Sequence, residues 1–166
     1  MRLIPIVFLL GCAGTTAESP LTVKLGLPRD RATAELHKHQ YCRKDGPPEK
    51  LEVFPRCDRP GTEWGDSWVT ARYEGDTLVE VRRFERYADD SHATERWNQL
   101  VTEREKLAPD AADAGEALRK KGALEPGTKA FKAFQLDAET IVVVYLLTPT
   151  PPENASVLEE ITRVAK

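Results

Sequence analysis

The stretch from Thr140 to Leu147 constrains the fold more than any other part of the chain. After Thr140 it reads Ile-Val-Val-Val-Tyr-Leu-Leu, so it is apolar on both faces and rich in β-branched residues. These properties are typical of a strand that is buried on both sides. At the edge of a sheet, such a run would be an aggregation hazard. We therefore predict that it forms a strand inside a sheet.

A second pattern predicts a β-hairpin. Apolar residues alternate with polar ones on both sides of a Glu-Gly-Asp sequence, namely Val69, Ala71 and Tyr73 before it and Val79 and Val81 after it. Because side chains alternate with a period of two, a three-residue loop at 74–76 would place Ala71 opposite Val79 on one apolar face. The second strand is expected to continue through Phe84 to about Tyr87.

Shorter patterns predict the remaining elements. These are strands at 21–25, 50–57 and 129–136, and helices at 29–41, 91–107, 110–121 and from 154 onward. Pro55 has no backbone N–H to donate, so the strand at 50–57 is expected at an edge of the sheet or to be irregular. The last helix is inferred from the spacing of four apolar residues, Val157, Leu158, Ile161 and Val164.

The helix at 91–107 has the clearest apolar face. Spacings of three and four residues place on it Ala93, Trp97, Leu100, Val101 and Leu107. Most of the charged residues, among them Arg96 and Arg104, are expected elsewhere on the helix. We predict that Trp97 is its main anchor in the core, and that Asp90 or Ser91 caps its first turn.

The order of these elements predicts an α+β fold, an antiparallel β-sheet with α-helices packed mainly on one face. A chain of 166 residues is long enough for one domain. A unit of one helix followed by strands occurs twice along it. The formal net charge of −3 argues against binding to nucleic acid, which requires a basic face.

The first dozen residues indicate where the protein is held. Arg2 precedes an apolar run that is too short to cross a bilayer but has the length of a signal-peptide core. The run ends in Leu9-Leu10-Gly11-Cys12, which resembles the lipobox of bacterial lipoproteins. The resemblance implies cleavage by signal peptidase II before Cys12 and acylation of that cysteine. An ordinary secretory signal that is cut elsewhere, near Ala17, is the alternative.

This resemblance divides the chain into three parts. Residues 1–11 are expected to be a signal peptide, 12–20 a lipidated flexible tether of small and polar residues, and 21–166 the α+β periplasmic domain. Acyl chains on Cys12 would anchor the protein to the lipid bilayer. Ala13 follows the cysteine, where an Asp often retains enteric lipoproteins in the inner membrane. The resemblance therefore favours the outer membrane, with the domain facing the periplasm.

Export would leave two further cysteines in an oxidising compartment. With Cys12 acylated, the remaining pair is Cys42 and Cys57, which we expect to form a disulfide. Closing a loop of this length contributes about 3 kcal/mol in the chain-entropy model. Two buried free thiols are the alternative.

The layout of the domain looks like that of small envelope lipoproteins of the BamE/SmpA–OmlA kind and of the related β-lactamase-inhibitor-protein fold. The local sequence Leu25-Gly26-Leu27-Pro28, which leads into a helix, is similar to the entry segment of those domains. The loops at 46–48 and 58–66 make this chain longer than the usual pattern.

A histidine and cysteine cluster is the first candidate for chemistry. His37, His39 and Cys42 read H-x-H-x-x-C, and all three are side chains that bind zinc. On a helix, however, side chains two residues apart point about 200° from each other, so both histidines could face one ion only on an extended segment. We therefore predict no metal site and no cofactor, with surface or half-buried histidines instead.

A second cluster consists of His92 with Asp89, Asp90 and Glu95. Histidine titrates near neutral pH, so this group suggests acid–base chemistry. The same residues are also what the first turn of a helix requires, since carboxylates there accept from free backbone N–H groups and oppose the helix dipole. We favour the capping role and predict no catalytic residue.

Trp64 and Trp68 are the candidate residues for binding a partner. They flank Gly65-Asp66-Ser67 at a junction between loop and strand. Tryptophan is enriched at binding hot spots, and packing in the core or at its rim is the alternative.

These observations predict a non-enzymatic lipoprotein of the cell envelope that binds or scaffolds another envelope protein. An envelope enzyme or small-ligand carrier is the first alternative, with a pocket between helix and sheet near His92, Trp97 and the Trp64–Trp68 loop. The second alternative is an inhibitor of a secreted enzyme, which rests on the likeness of fold alone.

Overall fold

The computed structural model describes residues 18–58, 66–122, 124–148 and 154–163. The helices are α1 (Arg29–Lys38), α2 (Asp90–Leu107) and α3 (Gly115–Lys121). The strands are β1 (Leu51–Pro55), β2 (Ser67–Glu74), β3 (Thr77–Arg86), β4 (Ala112–Asp113), β5 (Thr128–Gln135), β6 (Thr140–Leu147) and β7 (Ser156–Arg163).

The strands form one antiparallel sheet in the order β1-β2-β3-β7-β6-β5-β4. This arrangement confirms the predicted α+β fold. It also confirms that β6, the apolar run, lies inside the sheet, between β7 and β5. The strand that contains Pro55 lies at one edge, as its missing N–H requires.

The sheet consists of two similar halves. β1-β2-β3 and β5-β6-β7 are each three consecutive antiparallel strands, and α1 and α2 respectively precede them. β3 and β7, the last strand of each half, pair with each other at the centre. The helix-and-strands unit that the sequence shows twice is therefore a structural repeat, and its second copy extends to Arg163.

The predicted C-terminal helix is wrong, because residues 156–163 form strand β7. Val157 and Ile161 lie in the cluster on one face of the sheet and Leu158 in the cluster on the other. A strand that is buried on both faces has no simple polar alternation, so its apolar spacing also fits a helix. Backbone hydrogen bonding decides between strand and helix, because β7 supplies the backbone partners of both β3 and β6.

The predicted hairpin forms with a different register. The turn holds only Gly75 and Asp76, because Glu74 pairs with Thr77. A β-bulge then adds one residue to β3, so that Ala71 pairs with Val81 rather than Val79. The extra residue lies in the strand instead of the loop, and the apolar faces still match.

Three other predicted elements differ from the structure. Residues 21–25 belong to no strand, α1 ends at Lys38, and most of the segment predicted as a helix at 110–121 is split between β4 and α3. α1 ends early because Gln40 adopts a left-handed conformation, with φ of 63°. The N–H groups of Gln40 and Tyr41 donate to the carbonyls of His37 and Leu36, which is the Schellman pattern.

Apolar side chains pack on both faces of the sheet. α1 and α2 cover one face, where Leu36, Leu100 and Val142 belong to the larger cluster. On the opposite face, Leu118 of α3 packs with a smaller cluster from β5, β6 and β7. Two of the three helices thus share a face, as predicted, while α3 covers only the second half of the other one.

The buried side of α2 differs from the prediction in two ways. Arg96 and Arg104 are buried, whereas Leu107 is 57% exposed. Trp97 is only partly buried, and its indole N–H donates to the carbonyl of Val144 at 3.0 Å. Leu100 and Ala93 are the fully buried apolar residues of this helix.

Candidate functional site

Five charged side chains form a buried network between the sheet and α2, and they are Arg83, Glu85, Arg96, Arg104 and Glu159. Arg83 contacts both carboxylates, with Nε 3.1 Å from Glu85 Oε1 and Nη2 2.8 Å from Glu159 Oε2. Arg96 Nε donates to Glu85 at 2.7 Å, and Arg104 Nε donates to Glu159 at 2.7 Å. Burial favours the neutral carboxyl, but Arg83 and Arg96 outweigh it and lower the pKa of Glu85.

The same arginines hold the N-terminal segment, residues 18–25, across the helix-covered face. The carbonyl of Glu18 accepts from Arg96 Nη2 at 2.6 Å, and that of Ser19 from Arg83 Nη1 at 2.8 Å. The carbonyl of Leu21 accepts from Arg104, and its N–H donates to Glu159 at 3.2 Å. Side chains therefore hold this segment in place, whereas a strand would be held by a ladder of backbone hydrogen bonds. Glu18 and Ser19, assigned above to the tether, already contact the domain.

The segment runs along the length of the sheet. Gly26 donates to the carbonyl of Leu78, beside the β2–β3 turn. At the other end, the carboxylate of Glu18 accepts from the Tyr41 hydroxyl at 2.5 Å and pairs with Arg56. Tyr41 in turn lies 2.6 Å from the Ser67 hydroxyl, at the start of β2. We call this second end of the sheet, marked by Arg56, Ser67 and Arg86, the near end.

The second face of the sheet carries aromatic and arginine side chains on β2 and β3. Trp68 and Phe84 stack with their ring centroids 5.1 Å apart and their planes 9° from parallel. The guanidinium of Arg86 lies 4.6 Å from the Trp68 ring centre, and that of Arg82 5.3 Å from the Phe84 ring centre. Each contact is a cation–π interaction. We call this row of four side chains the open strip.

The four side chains of the open strip are each only partly exposed, and Arg82 also pairs with Glu125 at 2.5 Å. The buried members of the smaller apolar cluster come from β5, β6, β7 and Ala114, the residue before α3. The cluster includes no residue of β1 or β2. Beside the strip, Leu51 of the edge strand is 52% exposed. Within residues 18–58, 66–122, 124–148 and 154–163, no helix packs against this half of the face.

A pocket of about 250 Å³ lies between α3 and the sheet, on the same face as the open strip. Its lining is mainly apolar, with Leu118, Ile141 and Val143, and it includes the carboxyl group of Glu160. Burial raises the pKa of Glu160 to about 7, and the nearby Glu80 and Glu125 also raise it, while Arg82 and the Tyr145 hydroxyl lower it.

The predicted disulfide between Cys42 and Cys57 is confirmed, and it joins residues 15 positions apart in the chain. It lies beside the bridge between Tyr41 and Arg56, at the near end. His37 is close to both sulfur atoms, with the three candidate ligand atoms within 4.8 Å of one another. Sulfur atoms in a disulfide are not thiolates, so this group offers no metal site while the bond is intact.

His39 is separated from that group. Its Nε2 lies 3.2 Å from the Thr22 hydroxyl, so it contacts the N-terminal segment instead. Burial lowers its pKa, and the nearby Arg83 lowers it further. The two histidines of the H-x-H sequence therefore have different neighbours, as their helical spacing predicts.

The second cluster is a helix cap. The carboxylate of Asp89, one residue before the predicted cap, accepts from the His92 backbone N–H at 3.0 Å and contacts its ring at 2.8 Å. The backbone hydrogen bond lowers the pKa of Asp89 most, and the ring contributes further. Both side chains are more than half exposed, which fits the capping role.

Two of the predicted site residues, Cys12 and Trp64, lie outside the described residues. Trp68 is described and belongs to the open strip. The buried charges were missed because charged residues usually indicate a solvated surface. One signal was present, since Arg83 stands in β3 where alternation from Val81 requires a buried side chain.

Among the described residues, no helix is both long enough and apolar enough to cross a membrane. In comparisons with known proteins, the chain matched no family model, no curated protein and no solved structure.

Proposed function

We propose that this protein is a lipoprotein of the cell envelope, anchored in the outer membrane through acyl chains on Cys12, and that its periplasmic domain binds another envelope protein without catalysing a reaction. The open strip is the observation that carries the binding part. Stacked Trp68 and Phe84 offer a rigid aromatic surface, and Arg82 and Arg86 are beside it. Tryptophan and arginine are the side chains most enriched at binding hot spots.

Two other features support the proposal that the domain is a rigid binding module. The disulfide between Cys42 and Cys57 is typical of proteins that fold in an oxidising compartment. The strip lies on β2 and β3, which both lie inside the sheet and fix its side chains better than a loop would. A partner that docks there meets a preformed surface, which lowers the entropic cost of binding.

The anchor is tested by intact mass spectrometry of the protein purified from membranes of its natural host. We expect an acylated Cys12 as the first residue, and loss of an incorporated palmitate analogue in C12A. An unmodified N-terminus at any position would refute the anchor.

The binding surface is tested by photo-crosslinking in cells. A benzophenone side chain at Thr70, between Trp68 and Arg72 on the open face, is expected to give one discrete protein adduct. The same group at Glu95, an exposed position on α2, is the matched control. The adduct should disappear when W68A is combined with the Thr70 probe. Equal crosslinking at both positions, or none at Thr70, would contradict the proposal.

A further inference from the structure

We propose that the pocket between α3 and the sheet binds a small organic amine, with the apolar body of the ligand in the pocket and its ammonium group on the carboxylate of Glu160. The site is independent of the acyl anchor and of the open strip. It therefore adds a small-molecule ligand to the protein partner of the proposed function.

The walls of the pocket suit the apolar body of such a ligand. Ala117 and Leu118 line it from α3, and Ile141 and Val143 line it from β6. Its volume of about 250 Å³ is larger than that of an apolar cavity of roughly 150 Å³ that holds benzene. A molecule with one six-membered ring and a short polar arm therefore fits.

Glu160 supplies the polar end of the pocket from β7, the strand beside β6. Its cross-strand neighbour on β3 is Arg82, whose guanidinium pairs with Glu125 at 2.5 Å. Within the part of the chain that the structure describes, Glu160 makes no ion pair, and the Tyr145 hydroxyl faces it as a hydrogen-bond donor. The carboxyl group is thus partly buried without a cation of its own, and an ammonium group would supply one.

The charges around the pocket favour a cation over an anion. Burial raises the pKa of Glu160 to about 7, and the nearby carboxylates of Glu80 and Glu125 raise it further. The cationic side chains of the lining, Lys121 and Arg163, are exposed, so water and salt screen their charges. A bound ammonium group would relieve the repulsion among the carboxylates, whereas an anionic ligand would add to it.

The test is methyl NMR of the whole mature protein, with 2-phenylethylamine as the amine probe and 2-phenylethanol as its neutral counterpart. The methyl groups of Leu118, Ile141 and Val143 report binding inside the pocket. At pH 8 we expect the amine to bind about tenfold more tightly than the alcohol, because Glu160 is mostly charged. At pH 5 the carboxyl is protonated while the amine stays charged, so the preference should fall to about twofold or less.

Three variants localise the effect. E160Q removes the charge and keeps the shape of the side chain, so it should bind the amine about tenfold more weakly and the alcohol as before. E116Q, on the surface of α3, is the matched control and should bind both probes like the wild type. A117W places a large side chain at the wall of the pocket and should weaken the binding of both probes.

Equal affinity of the two probes at pH 8, or unchanged amine binding in E160Q, would overturn the proposal. Methyl shifts that persist in A117W would also overturn it, because the probes would then bind elsewhere. Tighter binding of 3-phenylpropionate than of the amine would contradict it as well, and would assign the pocket to an anion held by Lys121 or Arg163. None of these results bears on acylation of Cys12 or on crosslinking at Thr70, so failure of this site is distinguishable from failure of the proposed function.

Discussion

Arg83 and Glu159 face each other across the two central strands of the sheet, with Arg83 Nη2 2.8 Å from Glu159 Oε2. Both residues are buried, and only 1% of each is exposed. Glu159 also receives Arg104 from α2 and the N–H of Leu21 from the N-terminal segment. One carboxylate therefore connects both halves of the sheet, a helix and the start of the described chain.

Removing that charge should be costly. In E159Q, Arg83 and Arg104 would stay buried with one counter-charge fewer, and breaking a buried pair in this way costs about 3–5 kcal/mol. Chemical denaturation should show this loss in the free energy of unfolding.

The matched control is E116Q, because Glu116 pairs with Lys120 on the surface of α3. We expect a change below about 1 kcal/mol there. If E159Q is as stable as E116Q, the buried network does not stabilise the fold as inferred.

The N-terminal segment should behave as part of the folded domain. Leu21 is wholly buried, and truncating such a side chain costs about 2–5 kcal/mol. L21A is therefore expected to lower the free energy of unfolding by that amount, whereas T22A, next to it and exposed, should cost less than about 1 kcal/mol. Similar stability of the two variants would show that the segment is not docked in solution.

Glu160 predicts how stability depends on pH. Its folded pKa, about 7, lies above the usual value of 4.5, so folding favours the neutral carboxyl. This contribution is complete below about pH 4.5 and is lost as pH rises through about 7. The variant E160Q keeps the other groups that face this carboxyl, which are Arg82, Glu80, Glu125 and Tyr145.

We therefore expect the E160Q variant not to lose this stability as the pH rises. Between about pH 4 and about pH 8, the difference in unfolding free energy between the two proteins should shift by about 3 kcal/mol in favour of E160Q. Denaturant titrations across the pH range measure it. Parallel pH profiles would mean that Glu160 keeps an ordinary pKa.

The apolar patterns predicted the parts of the fold that the sequence encodes locally. β6 is recognisable because its residues are apolar on both faces, and the disulfide was predicted from the number of cysteines and the oxidising compartment that the lipobox resemblance implies. β7 was missed because Val157, Leu158 and Ile161 fit two periods, and only the pairing with β3 and β6 distinguishes them. The bulge in the hairpin was not predicted, because a bulge and a three-residue loop both place the same side chains on the apolar face.

The candidate site was predictable only in part. Trp68 could be named from its residue type and its place beside a loop. Its stacking with Phe84 depends on a register that the sequence did not reveal. The buried arginines were harder to predict, because their side chains bind backbone carbonyls more than 60 residues away in the chain, such as that of Ser19 for Arg83.

Gln40 provides a test of local strain at the end of α1. Its φ of 63° lies in the left-handed region, where a side chain other than glycine costs about 1 kcal/mol. Q40G should therefore raise the free energy of unfolding by up to about 1 kcal/mol, because glycine adopts this conformation without a clash. Q40A keeps the Cβ and should give no such gain, which separates the backbone effect from loss of the amide group. If Q40G is no more stable than Q40A, Gln40 does not hold the left-handed conformation in solution.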